Sequence, residues 1–259
     1  MQPTYFCSQS IIPVRTQPSE GAEMETQIMF GELYTLTEQI EKWSRVKLRA
    51  DGSEGWINSK LLTLLTDNQL ECLMRTEQHI ACLPIDSLMV DNKSQMPLPA
   101  GSILYGHGPS FNMEAGAHLY SYFANIKPIS NKQDFLLSMA EQFIGSPYLW
   151  GGKTMLGIDC SGLVQVLFSA IGVQLPRNAS QQALVGTQVQ LIGEAKPCDL
   201  AFFDNTDGNI VHVGLILPNS KIVHASAGAV RIDSIDHQGI YNYELNAYTH
   251  KLRVINRII

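Results

Sequence analysis

GIDCSGLVQV, residues Gly157 to Val166, sets a cysteine between an acid and a serine, followed by a glycine and a run with helical character. The run continues to Gly172, apolar on most sides, which predicts a buried helix with Cys160 in its first turn. Unpaired backbone N–H groups and the helix dipole favour an anion there, so the position predicts a stabilised thiolate. Gly162 leaves room beside the helix start, and the Cys160 N–H points toward where a tetrahedral oxyanion would form. A cysteine near a helix start also serves many folds as a small core residue, so its partners must decide between the two roles.

Those partners are sought in the flanking sequence. Upstream, SNKQDFLLSMAEQFIG places Phe135, Leu136, Met139, Ala140, Phe143 and Ile144 on one helical face, with a Ser/Asn start and Gly145 as the stop. Downstream, DLAFFD, NIVHVGLIL, KIVHAS, AVRID and HKLRVI are β-rich segments joined by turn residues. Helices followed by a run of strands predict an α+β domain. His212 sits in an apolar strand, where an imidazole is otherwise out of place, and His224 lies across the LPNSK turn. A hairpin there brings both to one sheet face, one to accept the thiol proton and the other to fix its ring, in a Cys-His-His triad. The same three residues are a possible zinc set, but no two of them are close in sequence as in common zinc motifs.

The front half has a different texture. Between Ile11 and Leu65, YTLTEQ, WSRVKLRA and GWI read as small strands, with DGSEG as a hairpin connection, which predicts a small β-barrel over residues 1–65. Residues 66–126 show HIACLPI, PLPAGSILYG and AHLYSYFAN, short strands with no helical period, and predict a second small β-domain; residues 127–259 form the third. The formal charge of −6 provides no basic footprint for nucleic acid or an anionic membrane. No apolar run approaches a membrane span, and the first residues lack a signal-peptide pattern, so the expected location is cytoplasmic, or periplasmic if an export signal has been removed. Five scattered cysteines argue against a disulfide framework.

YLWGGKTMLGIDCSGLVQ (148–165), LPRNASQQ (175–182), CDLAFFDN (198–205), GNIVHVGLIL (208–217) and IVHASAGAVRID (222–233) together resemble the NlpC-type cysteine peptidases of bacterial cell-wall peptides. The front half resembles their bacterial SH3-like domains. Within that family the sequence is similar to the γ-D-glutamyl-L-diamino acid endopeptidases. The resemblance implies a papain-like α+β fold preceded by two SH3-like barrels, and hydrolysis of the bond between γ-D-glutamate and diaminopimelate or lysine in murein peptides. It implies Cys160 as nucleophile, His212 as base, His224 as the residue orienting it, and the Tyr148 hydroxyl as a second oxyanion donor. Trp150, Asp159 and Ser161 are expected to line the peptide groove, and Arg177 and Asn178 to contribute to substrate binding. No metal or organic cofactor is expected; the partners are soluble murein peptides, with no nucleic acid and no membrane insertion, and the chain is expected to be a monomer.

Two positions depart from the family pattern. Asn178 stands where an aspartate typically meets a free L-alanine amine, and Ser53 stands where a tyrosine usually precedes EGW. A neutral amide accepts a hydrogen bond from an ammonium but supplies no counter-charge. Glu20, Glu23 and Glu54 are candidates for that charge. The SH3-like domains have two readings, as a wall-targeting module or as a cover that admits only short, released peptides; the acidic charge favours the second, in a recycling enzyme. Acyl transfer by the same triad and non-catalytic wall-peptide binding are the competing functions.

Overall fold

A computed structural model describes residues 3–107, 109–123, 129–226 and 228–259. The chain divides into two compact units, Met1–Pro128 and Ile129–Ile259. The boundary expected at 126/127 lies outside the described residues.

In the first unit, YTLTEQ, WSRVKLRA and GWI fall in strands Leu33–Ile40, Trp43–Leu48 and Glu54–Asn58, neighbours in a six-stranded sheet. DGSEG turns the chain between the last two, with Lys47 opposite Glu54 and Gly52 at φ +75°. Ile12, Val14, Ile28, Tyr34, Val46 and Ile57 form this sheet's apolar core. A four-stranded sheet follows, in the order Ser110–Ala115, His118–Phe123, Ile85–Val90, Ser94–Pro99. Its core includes Leu88, Leu98, Phe111 and Tyr120 together with Phe6 and Phe30 from the first stretch, so the two halves of this unit share apolar contacts.

A helix in this unit departs from the sequence reading. Helix α1 (Asp67–Arg75) forms where no helical period is visible. A reciprocal capping box starts it, the Thr66 hydroxyl accepting from the Gln69 N–H while the Gln69 side chain accepts from the Thr66 N–H. Only Leu73 is fully buried along it, too little for a periodic apolar stripe, so the cap rather than the pattern marks the helix.

The second unit begins with α2 (Lys132–Glu141), capped by the Asn131 side chain and burying Leu136, Met139 and Ala140. It ends before Gly145, which leaves Ile144 exposed rather than on the buried face. Helix α3 (Cys160–Ser169) is buried along nine residues, Cys160 to Phe168. Each apolar side chain fully buried there contributes about 1.5–3 kcal/mol, which fixes the helix firmly on its neighbours. It packs on α2 and on strands Ile210–Leu217 and Lys221–Ala225.

The sheet beneath α3 has seven antiparallel strands in the order Thr187–Val189, Ala247–Arg257, Leu200–Asp204, Ile210–Leu217, Lys221–Ala225, Val230–Ile235, Gly239–Asn242. The last also pairs with Ala247–Arg257, so six of the strands close into a barrel. Thr187–Val189 and Gly239–Asn242 were not expected, because three or four residues are too few to show a two-residue alternation. Ala201, Phe203, Ile216, Ile222, Ile235, Ile240 and Ile255 form one apolar cluster in this barrel. Alternation puts His212 on the same strand face as Ile216, and His224 on the same face as Ile222, so both histidines share the face of that cluster, with His212 opposite Phe203.

Candidate active site

Asp159 builds the start of α3. Its Oδ1 accepts the Gly162 N–H at 2.7 Å, and its Oδ2 accepts the Gly151 N–H at 2.8 Å. Arg177 donates to both carboxylate oxygens, at 3.0 and 2.6 Å, and to the Ser161 hydroxyl at 2.8 Å. All three residues are buried. Gln182 ties α4 (Ala179–Gln182) to this cluster by donating to the Ser161 carbonyl at 3.1 Å. The sequence reading has Asp159 and Ser161 lining a groove and Arg177 binding substrate. Their polar ends are instead turned to one another, as a buried ion pair must be to offset its desolvation. They hold the nucleophile's helix in place. At Gly162 a Cβ would lie 2.3 Å from the Gly152 carbonyl oxygen, so the room beside the helix start is filled by backbone.

Cys160 is 7% exposed, and its thiol meets the backbone N–H groups of Val213 and Ser161. Burial pushes the thiol up to about 11 and the Asp159 charge adds to this; the two N–H groups and Arg177 offset only part of it. The expectation of a stabilised thiolate is therefore reversed, first because the sulfur is buried and second because the Asp159 carboxylate occupies the positive end of the helix. Activation falls to a base. Val213 follows His212, so the strand that meets the thiol also carries the imidazole.

The two rings form a directed chain. His212 Nε2 lies 2.8 Å from His224 Nδ1, and His224 Nε2 lies 3.0 Å from Asp233 Oδ2. Burial is the largest influence on Asp233 and raises it, but hydrogen bonds from His224 and Arg231 together hold it below its ordinary value, so it is ionised. An ionised carboxylate only accepts, so His224 carries its proton on Nε2 and, when neutral, accepts at Nδ1. His212 then donates from Nε2, which leaves the lone pair of its Nδ1 as the base. Arg231 fixes Asp233 from the other side, Nε to Oδ2 at 2.8 Å, and reaches Glu244 at 3.0 Å. His250 stacks on His212 with ring centroids 4.2 Å apart. Burial first, then the neighbouring His250 and His224, push His212 well below 6.5, so it is neutral at pH 7.

A cleft of about 620 Å³ opens on this chain, lined by Tyr148, His212, Arg231, Asp233, Glu244 and His250 among others. Tyr148 is held by its N–H on the Gly228 carbonyl and by a bridge to Ile158, in the segment leading to Cys160. Burial, with the charges of Cys160 and Asp159, pushes its phenol up to about 12, so at neutral pH the hydroxyl is a donor. Trp150 is 58% exposed and does not line this cleft. Asn178 is exposed at the start of α4, where its side chain makes no capping bond. Of the carboxylates suggested as counter-charges, Glu54 is paired with Lys47 and Arg45, and Glu20 faces Arg15 at 4.0 Å.

Sequence reading missed Asp233, Arg231 and His250. A signal for the first two exists: the hairpin sets Arg231 opposite His224, which places Asp233, two residues on, on the same face. His250 joins only because the distant strand Ala247–Arg257 closes the barrel.

A buried thiol at a helix start, with a barrel strand presenting an imidazole backed by a second imidazole and an acid, is the site of a papain-like thiol hydrolase. Residues 145–249 match the NlpC/P60 family and residues 14–62 the bacterial dipeptidyl-peptidase Sh3 domain; the chain carries an NlpC/P60 domain preceded by an SH3-like domain. It is 35% identical to a probable endopeptidase NlpC homolog of Haemophilus influenzae over 46% of this chain and 62% of that protein. It is 25% identical to a gamma-D-glutamyl-L-lysine dipeptidyl-peptidase of Bacillus cereus, over 78% of this chain and 67% of that protein. The crystal structure of an NlpC/P60 family protein from Bacillus cereus shares the fold with a TM-score of 0.83 at 18% identity, covering 98% of this chain and 99% of that one. The chain spans less than two-thirds of the length of most of the curated relatives it matches.

Proposed function

We propose that the protein is a cysteine peptidase that hydrolyses the γ-D-glutamyl–diamino acid bond of bacterial cell-wall peptides and releases L-Ala-γ-D-Glu. The observation that carries this reading is the chain His212–His224–Asp233, which starts on the strand that meets the thiol and borders the cleft. His212 takes the Cys160 proton as the sulfur attacks the γ-glutamyl carbonyl, and returns it to the departing diamino-acid amine. The Tyr148 hydroxyl and the Cys160 N–H are the donors for the oxyanion. Water, activated by the same imidazole, then releases the acyl group. The NlpC/P60 domain and the dipeptidyl-peptidase relative support the substrate class.

The exposed, neutral Asn178 supports a relaxed requirement for a free L-alanine amine. The reading places the enzyme in the cytoplasm, acting as a monomer on soluble peptides during wall recycling; five cysteines that form no disulfide among the described residues suit a reducing compartment. Mass spectrometry of L-Ala-γ-D-Glu-diaminopimelate and its lysine counterpart, incubated with reduced wild type and with Cys160→Ala, tests the activity. Release of L-Ala-γ-D-Glu by wild type alone is expected; intact peptide with both proteins refutes the substrate assignment. Recovery of the protein from purified sacculi rather than the soluble fraction would refute the location.

A further inference from the structure

His212, His224 and His250 bring one imidazole nitrogen each to within 4.8 Å of the others. The catalytic chain needs only the first two, and His250 comes from a strand remote in sequence. Its Nδ1 is 2.9 Å from the Thr249 hydroxyl, which leaves Nε2 as the nitrogen for another partner. His224 already has what a metal-binding histidine requires behind it, since its Nε2 is held by Asp233, which Arg231 holds in turn. His212, Thr249 and His250 line the open cleft, which provides an entry path.

We propose that these three histidines form a binding site for a divalent transition-metal ion, best suited to Zn2+, and that the ion switches the thiol chemistry off. The ligands are His212 Nε2, His224 Nδ1 and His250 Nε2, with water in the fourth position of a tetrahedron. Nitrogens about 2.0–2.1 Å from zinc lie roughly 3.3 Å apart, so the His212–His224 pair opens slightly from its 2.8 Å contact, and His250 tilts out of its stack on His212 to bring its in-plane Nε2 lone pair onto the ion.

The inhibition follows from the proton. In the resting chain His212 carries its proton on Nε2 and keeps the Nδ1 lone pair for the thiol. Binding the metal through Nε2 moves that proton to Nδ1, with no net release to solvent. His212 then has no free lone pair for Cys160. The ion is therefore a competitor of catalysis and not a cofactor for it, which leaves the expectation of a metal-independent reaction untouched.

The test titrates Co2+ into the reduced full-length protein and reads its visible ligand-field absorption, which needs no peptide turnover. Expected is one equivalent of four-coordinate Co2+, displaced by Zn2+, without a near-ultraviolet thiolate charge-transfer band. His250→Phe keeps a ring against His212 but removes the nitrogen, and Asp233→Asn removes the support; each is expected to weaken affinity by about 10–100-fold. Binding unchanged in both variants, a thiolate band, or no saturable spectrum overturns the site. On wild type, histidine 15N spectra provide a readout independent of variant folding, and three rings must respond to one equivalent of Zn2+. If the peptide is cleaved, Zn2+ must arrest cleavage in proportion to occupancy and a chelator must restore it; full turnover by the saturated protein overturns the inhibition.

Discussion

Asp233 is the residue on which the direction of the proton chain depends. An aspartate at this place only accepts, which forces His224 to donate and His212 to present a bare Nδ1. Asp233→Asn offers an amide that donates as readily as it accepts, so the tautomers are no longer set. We expect kcat to fall about 10–100-fold with KM nearly unchanged, accompanied by a displaced acid limb in the pH profile. An unchanged profile would assign Asp233 to folding alone. Arg177 makes a different contribution. Arg177→Met leaves the Asp159 carboxylate buried without its bidentate partner, at a cost of about 3–5 kcal/mol. Urea unfolding of the two proteins measures it, and a loss below about 1 kcal/mol would show that Asp159 finds other partners.

The nucleophile's position is a property of α3 and of what abuts it. The helix starts at Cys160 because Asp159 caps it, and it cannot shift because the Gly152 carbonyl lies against Gly162. Gly162→Ala sets a Cβ 2.3 Å from that oxygen, so the loop or the helix must move. Overpacking of this kind costs about 1–3 kcal/mol, and here the displacement falls directly beside the thiol. Activity is therefore expected to fall more steeply than the melting temperature, which parallel assays on one preparation would show. A variant that keeps full turnover would mean that the helix start tolerates displacement. The strand elements add a second constraint: a Cβ at Gly214 would lie 3.0 Å from the His224 Cβ and closer still to Ile222, so the histidine strands approach closely only with glycine there.

Across the catalytic unit, burial keeps Cys160, Tyr148 and His212 uncharged at neutral pH, and the buried imidazole makes the protein sensitive to acid. His212 is held well below 6.5, so its neutral, proton-accepting form persists as pH drops through that value. The acid limb of kcat/KM is expected below pH 6.5; a midpoint at or above it would refute a buried neutral base. Stability follows the same sign. In the unfolded chain these histidines titrate near their ordinary value of about 6.5, whereas folded His212 and His250 resist protonation. Between the two values the unfolded chain binds more protons, so stability is full above pH 6.5 and declines below it. Asp233, whose folded value is lowered, adds a loss near and below pH 4. Thermal melts from pH 8 to 4 should show a midpoint that falls once pH passes below 6.5.

The helix at Cys160, the hairpin at DGSEG and the five longer barrel strands were legible because each depends on contacts between residues close in sequence: caps, turns and periodic burial. Cys160, His212 and His224 were legible for a related reason, since one helix start and one hairpin suffice to define them. Asp233 required the register of the next strand pair, and His250 required closure of the barrel by a strand 26 residues beyond His224. The protonation of the thiol was beyond local reading altogether. Sequence shows a cysteine at the positive end of a helix, but the packing around it sets the cost of charging the sulfur, and the Asp159 carboxylate already sits in the helix field. Dipoles and turns act over a few residues, whereas desolvation and proton direction depend on everything the fold gathers around an atom.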